Sequence, residues 1–243
     1  MAMNDILLLS DDKTIVLSVK DKDVKSVIIP DSVTKIGRSA FSRCSSLESI
    51  NIPNSVTEIG NEAFYGCCSL ECIDIPNSVT EIGERAFSGC SSLESIDIPN
   101  SVTEIGRSAF SGCSSLESID IPNSVTKIGD DAFWECSSLK SIDIPNSVTE
   151  IGARAFWGCS SLESINIPNS VTEIGERAFG ECKSLESITI RCKNIDNIKV
   201  ECNPFDDNIF DDCILYIPSG TRWAYRQHPI FGKFKNIVTE RFD

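Results

Sequence analysis

The sequence predicts an α/β repeat solenoid, with a parallel β-sheet along one side and short extended segments and 3₁₀ or helical turns along the other. Three observations lead to this fold class. Nearly the same amino-acid sequence recurs every 23 residues without insertion or deletion. Each copy contains a short segment of alternating apolar and polar residues, and one copy is too small to bury its own apolar side chains. The copies align on Pro30, Pro53, Pro76, Pro99, Pro122, Pro145 and Pro168.

The elements of one unit can be read from the third copy. Residues 95–98 alternate between Ser or Asp and Ile, which is typical of a strand with one buried face. Residues 79–82 are rich in β-branched side chains and are expected to be extended, with Gly83 in a turn of positive φ. Residues 84–87 are too short for a regular helix, so a single helical or 3₁₀ turn is predicted. Pro99 ends the strand because it cannot donate to a sheet ladder.

Stacking the copies gives each apolar side chain a partner of the same type in the next coil. Adjacent strands of such a stack lie about 4.8 Å apart. A fully buried Phe, Leu or Ile contributes roughly 1.5–3 kcal/mol, so each interface between coils carries several of these terms. One predicted column, the phenylalanine rail, consists of Phe41, Phe64, Phe87, Phe110, Phe133, Phe156 and Phe179.

The repeat divides the chain into three parts. Residues 1–29 are predicted to be an N-terminal cap with a β-hairpin and a first incomplete coil. Residues 30–190 are seven 23-residue repeats. Residues 191–243 are predicted to be an irregular last coil followed by a C-terminal cap, because the ends of a solenoid need a cover.

The N-terminal hairpin is expected from two apolar, β-branched segments, Ile6–Leu9 and Thr14–Val19. Ile28 stands at a phase where later copies have Asn51 or Asp74. An apolar residue at this phase favours a hairpin that folds over the first coil.

The repeat rule breaks after the seventh copy, where Arg191 replaces the proline. Phe210 and Cys213 keep the spacing found in the repeats and predict a distorted last coil. A short helix follows and is limited by Pro229. The aromatic residues of this part are expected to cover the end of the core; they are Trp223, Tyr225, Phe231 and Phe234.

Composition excludes several classes of function. The net charge is −14, with 22 Lys and Arg against 36 Asp and Glu, so nucleic acid is a poor partner. His228 is the one histidine, which removes most zinc and proton-shuttle chemistry. The sequence has no apolar run long enough for a membrane span, and the N-terminus lacks the pattern of a signal peptide. A cytosolic protein and one whose leader has been removed both fit this pattern.

The twelve cysteines do not form a disulfide pattern. Seven follow the 23-residue period and predict a buried column whose thiols donate weakly to turn carbonyls: Cys44, Cys67, Cys90, Cys113, Cys136, Cys159 and Cys182. The cysteines off this phase are the candidates for disulfides, among them Cys68, Cys72, Cys192 and Cys202.

The repeat resembles a known family. The pattern LxxIxIPxSVTxIGxxAFxxC, found in Leu93 to Cys113, is similar to the BspA-like leucine-rich repeat of bacterial surface and secreted proteins. The similarity covers Val24 to Ile190 and returns in the C-terminal part. It implies a right-handed solenoid with the sheet on the concave side, a location at the cell surface or outside the cell, and capture of ligands, since members include adhesins that bind host matrix proteins or other cells. No binding motif is shared between members, so no site residue can be transferred.

The first candidate surface is acidic. Asp74, Asp97, Asp120 and Asp143 occupy one outward phase of successive predicted concave strands, with Asn51, Asn166 and Thr189 at the same phase of other copies. Like charges at this spacing repel one another, and the functional interpretation is that a cationic surface or calcium offsets the repulsion. The alternative is that duplication copied a tolerated solvent residue. A flat row also converges poorly on one metal ion, and no metal or cofactor is expected overall.

The second candidate surface is aromatic. Tyr65, Trp134 and Trp157 stand directly after the buried phenylalanine, where other copies have Ser or Gly. The tryptophans belong to neighbouring copies, which predicts an exposed pair at the convex edge, and exposed tryptophans often mark contact sites. The alternatives are that the pair packs over its own turns or joins two copies of the chain.

No nucleophile and base, phosphate loop or paired-carboxylate motif is present, so an enzyme is not expected. The predicted function is a non-catalytic scaffold that binds a protein or glycan, with a basic partner favoured. A structural spacer is the alternative, because the concave phases vary little between copies.

Overall fold

A computed structural model describes residues 6–200 and 202–242. The strands, in chain order, are β1 (Leu7–Leu9), β2 (Ile15–Val19), β3 (Ser26–Ile28), β4 (Lys35–Ile36), β5 (Ser49–Asn51), β6 (Glu58–Ile59), β7 (Cys72–Ile73), β8 (Glu81–Ile82), β9 (Ser95–Ile96), β10 (Glu104–Ile105), β11 (Lys127–Ile128), β12 (Ser141–Asp143), β13 (Glu150–Ile151), β14 (Ser164–Ile167), β15 (Glu173–Ile174), β16 (Ser187–Ile190), β17 (Lys199–Val200), β18 (Ile214–Pro218) and β19 (Asn236–Glu240). Two helices, α1 (Ile209–Asp212) and α2 (Arg222–Gln227), and the 3₁₀ turns Ile195–Asn197 and Phe231–Lys233 lie in the C-terminal part.

The strands form two parallel ladders, which confirms the predicted solenoid. The first, called here the Ile-x-Ile ladder, runs through β3, β5, β7, β9, β12, β14, β16, β18 and β19, with isolated bridges at Asp97, Asp120 and Asp143 between β9 and β12. The second, the Glu-Ile ladder, runs from β2 through β4, β6, β8, β10, β11, β13 and β15 to β17. Like residues pair in register, as Ile142 with Ile165 and Ile165 with Ile188.

The predicted N-terminal hairpin is present as the antiparallel pair of β1 and β2. It begins the Glu-Ile ladder, since β2 pairs with β4. Ile28, on the other ladder, is 48% exposed. The prediction that the hairpin folds over Ile28 was therefore wrong, because the hairpin extends a different side of the coil.

The convex turns are built from hydrogen bonds of the 3₁₀ type that do not join into a helix. In the third copy, Ala86 N donates to Gly83 O (3.2 Å) and Ser88 N to Arg85 O (3.1 Å). Positive φ angles at Arg85 (55°) and Gly89 (75°) interrupt the helical path. Gly83 was predicted to have a positive φ, but Arg85 and Gly89 have it instead. Glycine is required at position 83 because a Cβ there would lie 2.5 Å from Asn61 N of the preceding coil.

The turns also hydrogen-bond from coil to coil. Phe87 N donates to Ala109 O (2.9 Å) and Gly89 N to Ser111 O (2.7 Å). Each repeat is thus attached to the next through the turns as well as through strands, which satisfies backbone groups that would otherwise be buried without partners.

The core contains the predicted phenylalanine rail. Successive rings from Phe41 to Phe179 are stacked with centroids 5.3–5.5 Å apart. The column continues with Phe205, 5.7 Å from Phe179, and not with Phe210, which the sequence spacing had suggested. Phe210 instead meets Phe205 edge-on at 6.5 Å.

The C-terminal cap covers the rail with three of its four predicted aromatics. Tyr225, Phe231 and Phe234 are fully buried, and the Tyr225 hydroxyl donates to Cys192 O (2.7 Å). Trp223 was predicted to join them but is 77% exposed. It lies on the outer side of α2, whose buried residue is Tyr225.

Candidate binding surfaces

The four aspartates lie on the outward face of the Ile-x-Ile ladder, as predicted. Asp97, Asp120 and Asp143 are parallel bridge partners, and the pairing of Ile73 with Ile96 places Asp74 on the rung beside Asp97. All four side chains are exposed. Among the described residues, none of the four has a cation within ion-pair distance or a side-chain hydrogen bond. We call this set the acidic column.

Further acids flank the acidic column. Glu71, Glu94 and Glu117 occupy one exposed phase just before the strands. Glu117 pairs with Lys140 (2.8 Å) in the next coil. Glu71 and Glu94 have only glutamates at this phase of their neighbouring coils. The negative charge is therefore concentrated around the second and third repeats.

The Glu-Ile ladder shows how this protein neutralises carboxylates elsewhere. Its outward phase mixes Glu with Lys, and the ion pairs run between adjacent coils: Lys35 with Glu58 (2.5 Å), Lys127 with Glu150 (2.8 Å) and Lys199 with Glu173 (3.2 Å). Such exposed pairs contribute about 0–1 kcal/mol each. The acidic column has no comparable lysine, so its charges are left for solvent or a partner.

The ladder is also less regular where the aspartates stand. Strands β14 and β16, with Asn166 and Thr189 at the outward phase, are four residues long, whereas β9 has two residues and Asp120 is only bridged. Carboxylates directly opposite one another destabilise a strand pair by about 0.2–1 kcal/mol. The short strands agree with that repulsion.

The predicted aromatic pair exists but is not exposed. The Trp134 and Trp157 rings are stacked at 5.5 Å with an 8° interplanar angle, and both are half-buried. The next residue of this phase is Gly180, where a Cβ would lie 2.7 Å from Trp157 Cδ1. Gly180 therefore leaves no room for a side chain beside the Trp157 ring. Tyr65, three coils from Trp134, is half-buried and does not join the stack.

The cysteine column behaves as predicted. Each thiol from Cys67 to Cys182 donates to the carbonyl of the phenylalanine in the preceding coil, for example Cys113 to Phe87 O (3.3 Å). Burial raises the pKa of the Cys113 thiol to about 12. All twelve cysteines are free thiols, and Cys192 is among the buried ones.

We expect thiol labelling to divide the cysteines into two groups. At pH 8, Cys68, Cys72 and Cys202 should react within minutes because they are exposed, whereas the column should stay unmodified because its thiols are buried. Mass spectrometry after labelling with and without denaturant measures both groups, and Cys68→Ser should remove one fast site. Rapid native labelling at Cys113 would contradict the packing of the column.

One candidate site was not predicted from the sequence. A depression of about 530 Å³ at the C-terminal end of the Ile-x-Ile ladder is lined by Arg191, Lys193, Arg241 and Phe242 among others. The sequence contained its signal, the replacement of the repeat proline by Arg191, but this was interpreted only as the end of the array. No group of three or more His, Cys, Asp or Glu side chains within 6–200 and 202–242 is arranged to hold a metal ion.

The chain was compared with known families and structures. The model of the BspA-type leucine-rich-repeat region matches in six copies, over residues 19–140 and 92–215. The chain belongs to this family. No protein with a curated description matches it. In the described part of this leucine-rich-repeat protein, no helix has the length and apolar character needed to cross a membrane.

Solved leucine-rich-repeat proteins share the fold. A leucine-rich-repeat protein of T. pallidum is 32% identical with a TM-score of 0.67, over 76% of this chain and 89% of that one. A protein of Eubacterium ventriosum is 31% identical with a TM-score of 0.66; the match covers 74% of this chain and 48% of the other. A third, from Bacteroides ovatus, is 26% identical with a TM-score of 0.56, over 88% and 70% of the two chains.

Proposed function

We propose that this leucine-rich-repeat protein is a non-catalytic interaction module that binds a basic partner, a protein or a glycan, through the outward face of the Ile-x-Ile ladder. One observation carries the proposal: Asp74, Asp97, Asp120 and Asp143 stand on successive rungs without a compensating cation among the described residues. On the other ladder Lys35 and Lys127 pair with Glu58 and Glu150, whereas no rung of the acidic column carries a lysine.

The binding mechanism follows from the geometry of the ladder. Rungs about 4.8 Å apart present carboxylates in a row roughly 14 Å long, which suits an extended or curved partner with several cationic groups. A partner would relieve the mutual repulsion of the aspartates on binding. The field of the acidic face would also accelerate encounter at low salt.

The family supports a location at the cell surface, where such a module would meet host matrix proteins or other cells. This location, like the partner, is part of the proposal. The aromatic set of Tyr65, Trp134 and Trp157 is a second candidate surface, with weaker support because all three side chains are half-buried.

The experiment is a binding screen against purified matrix proteins and glycans, followed by two matched variants. The first changes Asp74, Asp97, Asp120 and Asp143 to Asn, and it should weaken binding at least tenfold. The control changes four exposed glutamates outside this ladder to Gln and removes the same charge; they are Glu81, Glu84, Glu104 and Glu176. The control should keep most of the affinity. Equal losses in both variants would reduce the effect to net charge and contradict the proposed face.

A structural spacer is the second candidate function, favoured by one observation. The acidic column repeats the same residue on four rungs, whereas a specific binding face usually varies in chemistry along its length. If no matrix protein or glycan of the screen binds, and the variant with four Asp→Asn changes only gains stability, a structural spacer is a better explanation than a binding module.

A further inference from the structure

The depression beside Arg191 combines cationic, amide and aromatic side chains. It lies where the chain leaves the Ile-x-Ile ladder, and Asn146, Asn169, Ser219, Arg241 and Phe242 line it together with Arg191. Its volume, about 530 Å³, falls in the range of small-molecule sites, roughly 300–1,000 Å³.

Arg191 makes contacts through its backbone N–H, its Nε and the face of its guanidinium. Its backbone N–H donates to Ile167 O (3.0 Å), a bond that the proline of the earlier repeats cannot make. Its Nε donates to Asn166 Oδ1 (3.0 Å), and its guanidinium lies over the Phe242 ring, 5.6 Å from the centroid. The two terminal nitrogens of the fork have no hydrogen-bond partner among the described residues and are left to bind an anion.

The positive charge of the depression is not neutralised locally. In the described part of the chain, Arg191, Lys193 and Arg241 have no carboxylate within ion-pair distance. Glu240 also lines the depression but forms no ion pair with them. Some cations elsewhere pair with acids of an adjacent coil, as Lys127 does with Glu150 (2.8 Å) and Arg154 with Asp131 (2.8 Å). Three cations without an ion pair in the described part of the chain thus line one depression, although the net charge of the chain is −14.

We propose that this depression binds an acidic sugar, with Arg191 holding its carboxylate. A guanidinium fork matches a carboxylate in two parallel hydrogen bonds, and Lys193 and Arg241 add charge around it. The amides of Asn146 and Asn169 and the Ser219 hydroxyl both donate and accept hydrogen bonds, as sugar hydroxyls require. A carboxylate ligand without hydroxyl groups would form no hydrogen bonds with these amide and hydroxyl groups. The site is separate from the acidic column and does not depend on it.

The test is an NMR titration of the whole chain with glucuronate at constant ionic strength, following the Nε–H and backbone N–H signals of Arg191. Saturable binding is expected with a Kd on the order of 1 mM, and glucose, which lacks the carboxylate, should not bind. Acetate should bind at least tenfold more weakly than glucuronate. Equal binding of acetate would overturn the assignment to a sugar, and no shift at Arg191 would overturn the site.

Two variants locate the interaction. Arg191→Gln should weaken glucuronate binding at least tenfold, while Arg107→Gln, an exposed arginine in the repeats, should leave it unchanged. Retained binding in Arg191→Gln would contradict the proposal. The variant with four Asp→Asn changes in the acidic column should bind glucuronate as well as the unaltered protein does, so failure of the proposed function and failure of this site are distinguishable.

Discussion

Replacing Phe110 by alanine is expected to lower the free energy of unfolding by about 3–5 kcal/mol. The side chain is fully buried, and its ring stacks on Phe87 and Phe133 with centroids 5.5 Å away on both sides. The cavity cannot collapse easily because the hydrogen-bonded turns hold the neighbouring coils at fixed spacing. Urea denaturation followed by circular dichroism measures the loss.

Trp223→Ala is the control for this prediction. The side chain is 77% exposed at the C-terminal cap, so the change should stay within about 0.5 kcal/mol. A loss below about 1 kcal/mol for Phe110→Ala would show that the phenylalanine rail is loosely packed and would contradict the stacked core.

Adding one methyl group at Gly83 is the second change with a large expected effect. The new Cβ would lie 2.5 Å from Asn61 N, a backbone atom of the preceding coil, and 2.5 Å from Asn61 Oδ1. That oxygen accepts the Glu84 N–H (2.9 Å). The coils would have to separate, so Gly83→Ala should destabilise the protein by about 2–3 kcal/mol.

Gly106 supplies a matched control at the same phase of the next repeat. The Glu-Ile ladder is interrupted between β8 and β10, and the nearest atom to a Cβ at Gly106 is Ile82 O at 3.3 Å. Gly106→Ala should therefore change the free energy of unfolding by less than about 1 kcal/mol. Equal losses at Gly83 and Gly106 would show that the interruption does not loosen this side of the coil.

Most of the fold could be predicted because the repeat imposes the same environment on the same residue many times. The phenylalanines at the phase of Phe87 are buried in similar surroundings in successive coils, and so are the cysteines at the phase of Cys113. The alternation of Ile96 and Ile98 with polar residues indicated the strands of the Ile-x-Ile ladder. The sequence was less informative where the period fails. Phe210 keeps the spacing of the rail, yet Phe205 occupies its position, since spacing along the chain does not determine how an irregular coil folds.

The candidate sites show the limits of the same reasoning. The positions of the aspartates in the predicted strands correctly indicated that their side chains lie on the outward face, because side chains alternate across a strand. The sequence did not show that Trp157 is half-buried, with Gly180 of the next coil close to its ring. It also did not show that Arg191 and Phe242 meet, because they are distant in the sequence and follow no repeat.

Carboxyl footprinting tests the central claim most directly. The protein is modified with a carbodiimide and an amine, alone and in complex with the panel member that binds most tightly, and each carboxylate is followed by mass spectrometry. The acidic column on the Ile-x-Ile ladder should be protected at Asp74, Asp97, Asp120 and Asp143, while Glu81 and Glu104 on the other ladder should react as before. Protection of Glu81 and Glu104 with unchanged labelling of the four aspartates would contradict the account.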